Sequence, residues 1–314
     1  LSKPATSAII KAAVFGQRPF ASAEGHAAMT KRTVLEREEY IEQAYLFRAL
    51  RERMSQEQST QDLLAHVDQE ILSTTRLPYA IQFLATEVKH TGLLSSGFAR
   101  LSHYFTPFQA FIIRGSEEEN RRFSLDTAFL VLQREAEYRA GNPTPQGLFV
   151  YQFEVLCRNR LGYEGGLKSM AEDVLYDDHW RQFVETLRAQ LGLVDFADLI
   201  YVRSELYVKD KRRTGPAYEP PLPPLFSEKE GKIAKANRQR DPLYLFSTLQ
   251  RQLNYPEVPR PVQPDDVRNK LLTLEARYRE LEQRLRLLES ETRGQVDLSQ
   301  FGKPEILQED DDSA

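Results

Sequence analysis

Residues 178–192 read DHWRQFVETLRAQLG, and their spacing decides the class of fold. Trp180, Phe183, Val184, Leu187 and Leu191 stand at i, i+3, i+4, i+7 and i+11. At about 100° per residue all five fall on one stripe of an α-helix. Asp178 stands before the stripe as an N-cap, and Gly192 follows it as a stop.

The same grammar repeats outward. Asp195 caps a further helix to about Val208, within which Leu199–Val208 is the one stretch rich enough in aromatic and β-branched residues to be a strand instead. On the N-terminal side, Thr144-Pro145 opens a helix that ends at Gly162, and Ser124 caps Leu125 to Ala140. Thr106-Pro107 opens a helix holding Phe108, Phe111 and Ile112. Leu77 to Lys89, about Gln61 to Leu72 and about Glu36 to Met54 complete the series. Strand alternation bounded by turn dipeptides is not evident, so the spacing predicts an all-α, multi-helix body over residues 29–208.

The flanks differ from the body. Residues 1–28 carry Lys3, Lys11 and Arg18 against one acid, Glu24, and read as a disordered or dispensable leader; the composition of an organelle targeting peptide is the competing reading. Residues 209–226 join four basic residues to five prolines and read as an extended linker. Ser227 and Glu230 have capping-box spacing, so a small helical segment is expected over 227–254, with a second Pro-rich linker at 255–264. A long helix follows at 265–293, and an acidic, disordered tail at 294–314.

That last helix carries the most specific pattern in the chain. Leu271, Tyr278 and Leu285 are seven apart, as are Val267, Leu274, Leu281 and Leu288, offset by three. These are the a and d positions of a heptad. Position g holds Lys270, Arg277 and Arg284, and position e holds Glu275, Glu282 and Glu289. In a parallel pair each g meets the following e of its partner, and all three meetings are of opposite sign; an antiparallel pair sets like against like. A C-terminal coiled-coil helix and a parallel homodimer are expected, with packing on the body or on another helical protein as the alternative.

Three arginines fall on apolar stripes. Arg139 lies in the stripe of Leu125, Ala128, Phe129, Leu132 and Ala136, and Arg160 in that of Phe149, Val150, Phe153, Leu156 and Cys157. Arg203 lies near the centre of the stripe of Phe196, Leu199, Ile200 and Tyr207. A guanidinium cannot shed its proton, so burial demands a carboxylate, carbonyls or a bound anion. Structural ion pairs with Glu135, Glu154, Asp198 or Glu205 compete with an anion-binding pocket.

Other signals are weaker. Cys157, the one cysteine, excludes an intramolecular disulfide and any multi-thiolate metal site, and fits a reducing, cytoplasmic compartment. Glu87 and His90 form a lone Glu-x-x-His that faces away from its helix's stripe, and His66 and Glu70 share that weakness, so no metal and no cofactor is expected. His103, His179, Ser204 and Cys157 lack the strand–turn–helix context of a nucleophile. Residues 209–240 hold nine basic and four acidic residues, a net of +5 that phosphates would attract, but 42 basic residues meet 46 acidic ones over the whole chain, and nucleic acid is disfavoured. No apolar run approaches the roughly 18–20 residues of a membrane span.

The function expected is that of a non-enzymatic interaction or scaffold protein that self-associates through its C-terminal coiled coil. The alternatives are a helical enzyme or small-molecule-binding protein with an arginine-lined anion pocket, and a nucleic-acid-associated adaptor using the basic segment 229–240. No catalytic residue is assigned.

Overall fold

The computed structural model describes residues 34–54, 60–71, 74–118, 123–260, 271–272, 274–282 and 284–285. Contacts divide the chain into two units, Leu1–Pro261 and Val262–Ala314. The leader (1–28) and the acidic tail (294–314) lie outside the described residues, as do Val267 and Leu288 of the heptad.

In the first unit the order is α1 (Arg37–Met54), α2 (Thr60–Asp68), α3 (Leu77–Thr91), α4 (Leu94–Arg100), α5 (Pro107–Glu117), α6 (Leu125–Ala140) and α7 (Pro145–Arg158). It continues with α8 (Tyr163–Ala171), α9 (Asp178–Gln190), α10 (Phe196–Val202), α11 (Glu205–Thr214), α12 (Glu228–Ala236) and α13 (Pro242–Leu253). The described residues contain no strand, and none of their helices is long and apolar enough to cross a membrane.

The N-caps are local chemistry. Ser124, Thr144 and Asp195 accept the backbone N–H of Thr127, Gly147 and Ala197. Thr106 and Ser227 close capping boxes with Gln109 and Glu230. At α9 the cap is Asp177, one residue earlier than its sequence suggests, with Trp180 N donating to Oδ1 at 2.8 Å.

α7 forms the axis of the core. Every residue from Gly147 to Leu156 is buried, so the helix is covered on all sides. The Phe149 ring lies within 5.3–6.3 Å of Phe153, Trp180, Phe183, Phe196 and Phe226, uniting α7, α9, α10 and the segment before α12. α1 packs along α6.

The structure also differs from the sequence reading in larger features. α7 ends at Arg158; Arg160 adopts a left-handed φ of 52° and is exposed, so it leaves the apolar stripe. The helix expected from Asp195 to Val208 breaks at Arg203, and Ser204 caps a second helix that runs to Thr214, into the expected linker. The break is held by tertiary bonds: Leu225 N and Phe226 N donate to Arg203 O, and Glu205 N donates to Phe226 O.

The first Pro-rich stretch and the start of the second pack on the body, and the two units part within the second, between Pro261 and Val262. Leu225 and Phe226 are buried, and Gln146 Nε2 donates to Leu225 O at 2.7 Å. Tyr255 and Val258 are buried too, and Asn159 Nδ2 donates to Pro259 O. The segment expected to be separate, 227–254, therefore belongs to the same unit as the body. Finally, α4 and α8 carry glycines that hide them from a propensity reading. A Cβ at Gly97 would stand 2.6 Å from Leu84 Cδ2, and one at Gly166 would stand 2.6 Å from both Leu156 methyls, so the helices approach closely at these glycines and a larger residue would displace a leucine side chain.

Candidate functional site

α6 turns its apolar stripe inward, and Glu135 and Arg139 go with it. Arg139 is 7% exposed and Glu135 fully buried. Arg139 donates from Nε and Nη2 to Glu135 Oε1 at 3.1 and 2.8 Å, and from Nη1 to Asp173 Oδ1 at 3.4 Å, with Nη2 also on Asp173 Oδ2. Gln152 Nε2, from α7, donates to Glu135 Oε1 at 2.9 Å, and Tyr176 OH donates to Gln152 Oε1 at 3.0 Å. Glu135 Oε2 is buried and accepts no hydrogen bond from the described residues.

One guanidinium thus serves two buried carboxylates. Burial pushes the Glu135 carboxyl above the usual glutamate range; Arg139 opposes this and Asp173 reinforces it. Burial depresses the Arg139 guanidinium, but the Asp173 and Glu135 charges outweigh it and hold its pKa well above normal.

Beside the cluster lies a cavity of about 210 Å³. Tyr40, Tyr104, Phe105, Pro107, Arg139 and Asp173 line it, and Arg37 and His103 are among its exposed lining residues. Tyr104 OH donates to Glu39 Oε2 at 2.8 Å, and Arg76 N donates to Glu39 Oε1 at 2.9 Å, which fixes that wall.

Of the three arginines singled out by their stripes, only Arg139 lines this cavity. Arg203 is 8% exposed and forms no ion pair among the described residues. Its Nη2 donates to Pro223 O at 3.3 Å, its guanidinium carbon lies 5.9 Å from the Phe183 ring centroid, and its Nε is unbonded. Burial lowers its pKa, with the Asp177 charge opposing.

The sequence named Glu135 as a partner and missed Asp173. Glu154 pairs with Arg158, Asp198 with Arg238, and Glu205 Oε2 accepts Glu228 N. Asp173 sits in the short connection between α8 and α9, and nothing in the sequence sets it apart from its neighbours Glu172, Asp177 and Asp178.

Five of the nine basic residues of 209–240 form ion pairs. Lys209 and Lys232 share Glu228, Lys235 and Arg213 share Asp210, and Arg238 stacks 4.0 Å above the Tyr201 ring. Glu87, read as facing water, is mostly buried, because Ser96 and Arg100 of α4 both donate to it. Burial raises the Cys157 thiol to about 11, out of the reactive range. Among the described residues no group of three or more His, Cys, Asp or Glu could hold a metal.

In the second unit, residues 271–272, 274–282 and 284–285 are helical. The seam residues Leu271, Leu274, Tyr278, Leu281 and Leu285 are all 54–65% exposed. Compared with family models, curated proteins and solved structures, the chain finds no match.

Proposed function

We propose that the protein is a non-enzymatic interaction protein, a helical body that self-associates through a parallel coiled coil of its C-terminal helix. The observation that carries this reading is the exposure of Leu271, Leu274, Tyr278, Leu281 and Leu285, five large apolar side chains in heptad register. Such a row in water is unfavourable, and a second copy removes it at ~25 cal/mol per Å² of apolar surface buried. The charges beside the row favour that partner and its direction. Arg277 and Arg284 at g face Glu282 and Glu289 at e of a parallel copy.

The rival readings lose support at their own residues. Four of the five N–H groups of Arg139 already donate to Glu135 and Asp173, which leaves a single one for an anion, and Arg160 stands apart. Of the lysines and arginines of 229–240 that would meet phosphates, Lys232, Lys235 and Arg238 are already engaged by Glu228, Asp210 and Asp198.

Light scattering on the full chain tests the reading. The wild type is expected to be dimeric at about 100 μM, and L274E/L281E monomeric. Mixing R277E/R284E with E282K/E289K should restore a pair that neither forms alone, because only the mixture sets opposite signs against each other. A wild type that stays monomeric at about 100 μM overturns the proposal.

A further inference from the structure

We propose that the cavity lined by Arg37, Tyr40 and Arg139 is a binding site for a small apolar carboxylate, one carboxyl group on a body of roughly six to ten non-hydrogen atoms. The site belongs to the first unit alone and is independent of self-association. It is not the three-arginine pocket that the sequence suggests. Arg160 and Arg203 do not line it, and Arg37, at the start of α1, stands with Arg139 instead.

Volume and walls set the body of the ligand. A cavity of about 210 Å³ is somewhat larger than the ~150 Å³ space that accepts benzene in an engineered protein core. Tyr40, Tyr104, Phe105 and Pro107 line it with rings, and the half-buried Val174 and Leu175 add aliphatic surface.

Hydrogen-bond donors set its head group. Arg139 is 7% exposed, and after its bonds to Glu135 and Asp173 the second N–H of Nη1 is left without an acceptor among the described residues. Tyr40 is 6% exposed. Its hydroxyl stands against two donors, Leu35 N and Arg139, and its own proton has no described acceptor. Arg37 commits Nε to Ala140 O at 3.1 Å, and its Nη1 and Nη2 donate to no described residue. Three side chains that line one cavity thus hold unspent donors.

Charge agrees with the donors. The lining holds one carboxylate, Asp173, which already accepts from Arg139 at both oxygens and from Leu175 N at 3.0 Å. Glu39 and Glu135 stand behind the wall and do not line the cavity. The charged lining is therefore Arg37 and Arg139 against Asp173, one positive charge in excess, with the exposed His103 as a further polar group. A carboxylate only accepts, so it can take up the spent-free donors and offset that charge. An alcohol adds a donor that the wall does not need, and an ammonium adds donors and a like charge.

The test is thermal melting of the full chain, at matched ionic strength, with benzoate, benzyl alcohol, benzylammonium and acetate, each at about 10 mM. Benzoate is expected to raise Tm by roughly 2 °C or more, while the other three do not, because each lacks either the carboxylate or the apolar body. R37Q removes charged donors at an exposed lining position and should lose the benzoate response. V174W fills the cavity from a half-buried position and should lose it too. S102W, at an exposed position of the same lining, repeats the filling test if V174W does not fold. No shift with benzoate, a shift of the same size with any of the other three, or a benzoate response retained by R37Q or by a filled cavity each overturns the proposal.

Discussion

The Tyr255 hydroxyl donates to Glu154 Oε2 at 2.6 Å, joining residues 101 positions apart inside the core. Glu154 sits on α7, the axis of the first unit, and Tyr255 immediately follows α13. This bond, with that of Arg134 to Glu257 O at 2.5 Å, fastens the last stretch of the unit across the helices it follows.

Replacing Tyr255 with Phe should leave Glu154 Oε2 buried without that donor. The expected loss is ~1–3 kcal/mol, because an orphaned acceptor costs its desolvation. Urea unfolding should show a lower midpoint at unchanged slope, and an unchanged midpoint would mean that water reaches the carboxylate.

Arg139→Met removes the one cation between Glu135 and Asp173. With 7% exposure there is little water to compensate, and the expected loss is ~3–5 kcal/mol. Adding Glu135→Met should recover part of it, since one buried carboxylate fewer is then left unpaired. Urea unfolding of both single variants and the double variant measures the coupling, and strict additivity would contradict the cluster.

Glu135 also predicts a pH dependence. Its pKa is raised in the folded chain by burial, with the Asp173 charge adding to the effect. The folded state therefore holds the proton more tightly than the unfolded state. The contribution is fully present below the ordinary glutamate range and is lost as pH rises through the raised folded value. Glu135→Gln should remove that decline, so the variant gains stability relative to wild type as pH increases. Parallel unfolding curves at mildly acid and mildly alkaline pH check this, and a difference that does not change with pH would refute it.

Glycine and connection chemistry explain where the helix pattern failed to show. α4 and α8 contain Gly97, Gly165 and Gly166, which argue against helix by propensity, yet these glycines sit closely against the side chains of Leu84, Phe111 and Leu156. Arg203 continues the stripe of α10 perfectly well in sequence. Its carbonyl is taken instead by the N–H groups of Leu225 and Phe226, more than twenty residues away.

The candidate site divides in the same way. Arg139 on an apolar stripe, with Glu135 one turn before it, is legible because i,i+4 neighbours on a helix share a face. Asp173 is not, because nothing within one helix records which residue of another connection will face it.

What the sequence determined by itself was therefore everything that acts over one to four residues. Ser124, Thr144, Asp195 and Ser227 start helices because their side-chain oxygens reach the next turn's N–H groups, and the 3.6-residue stripes decide an all-α fold. The heptad row and its charges are equally local. Only the tertiary structure decided that Phe226 and Tyr255 close over the body, that Arg160 turns out to water, and that Asp173 completes the Arg139 cluster around a cavity. Those outcomes depend on which helix faces meet. That is set by close packing over the whole core, which no single stretch of chain encodes.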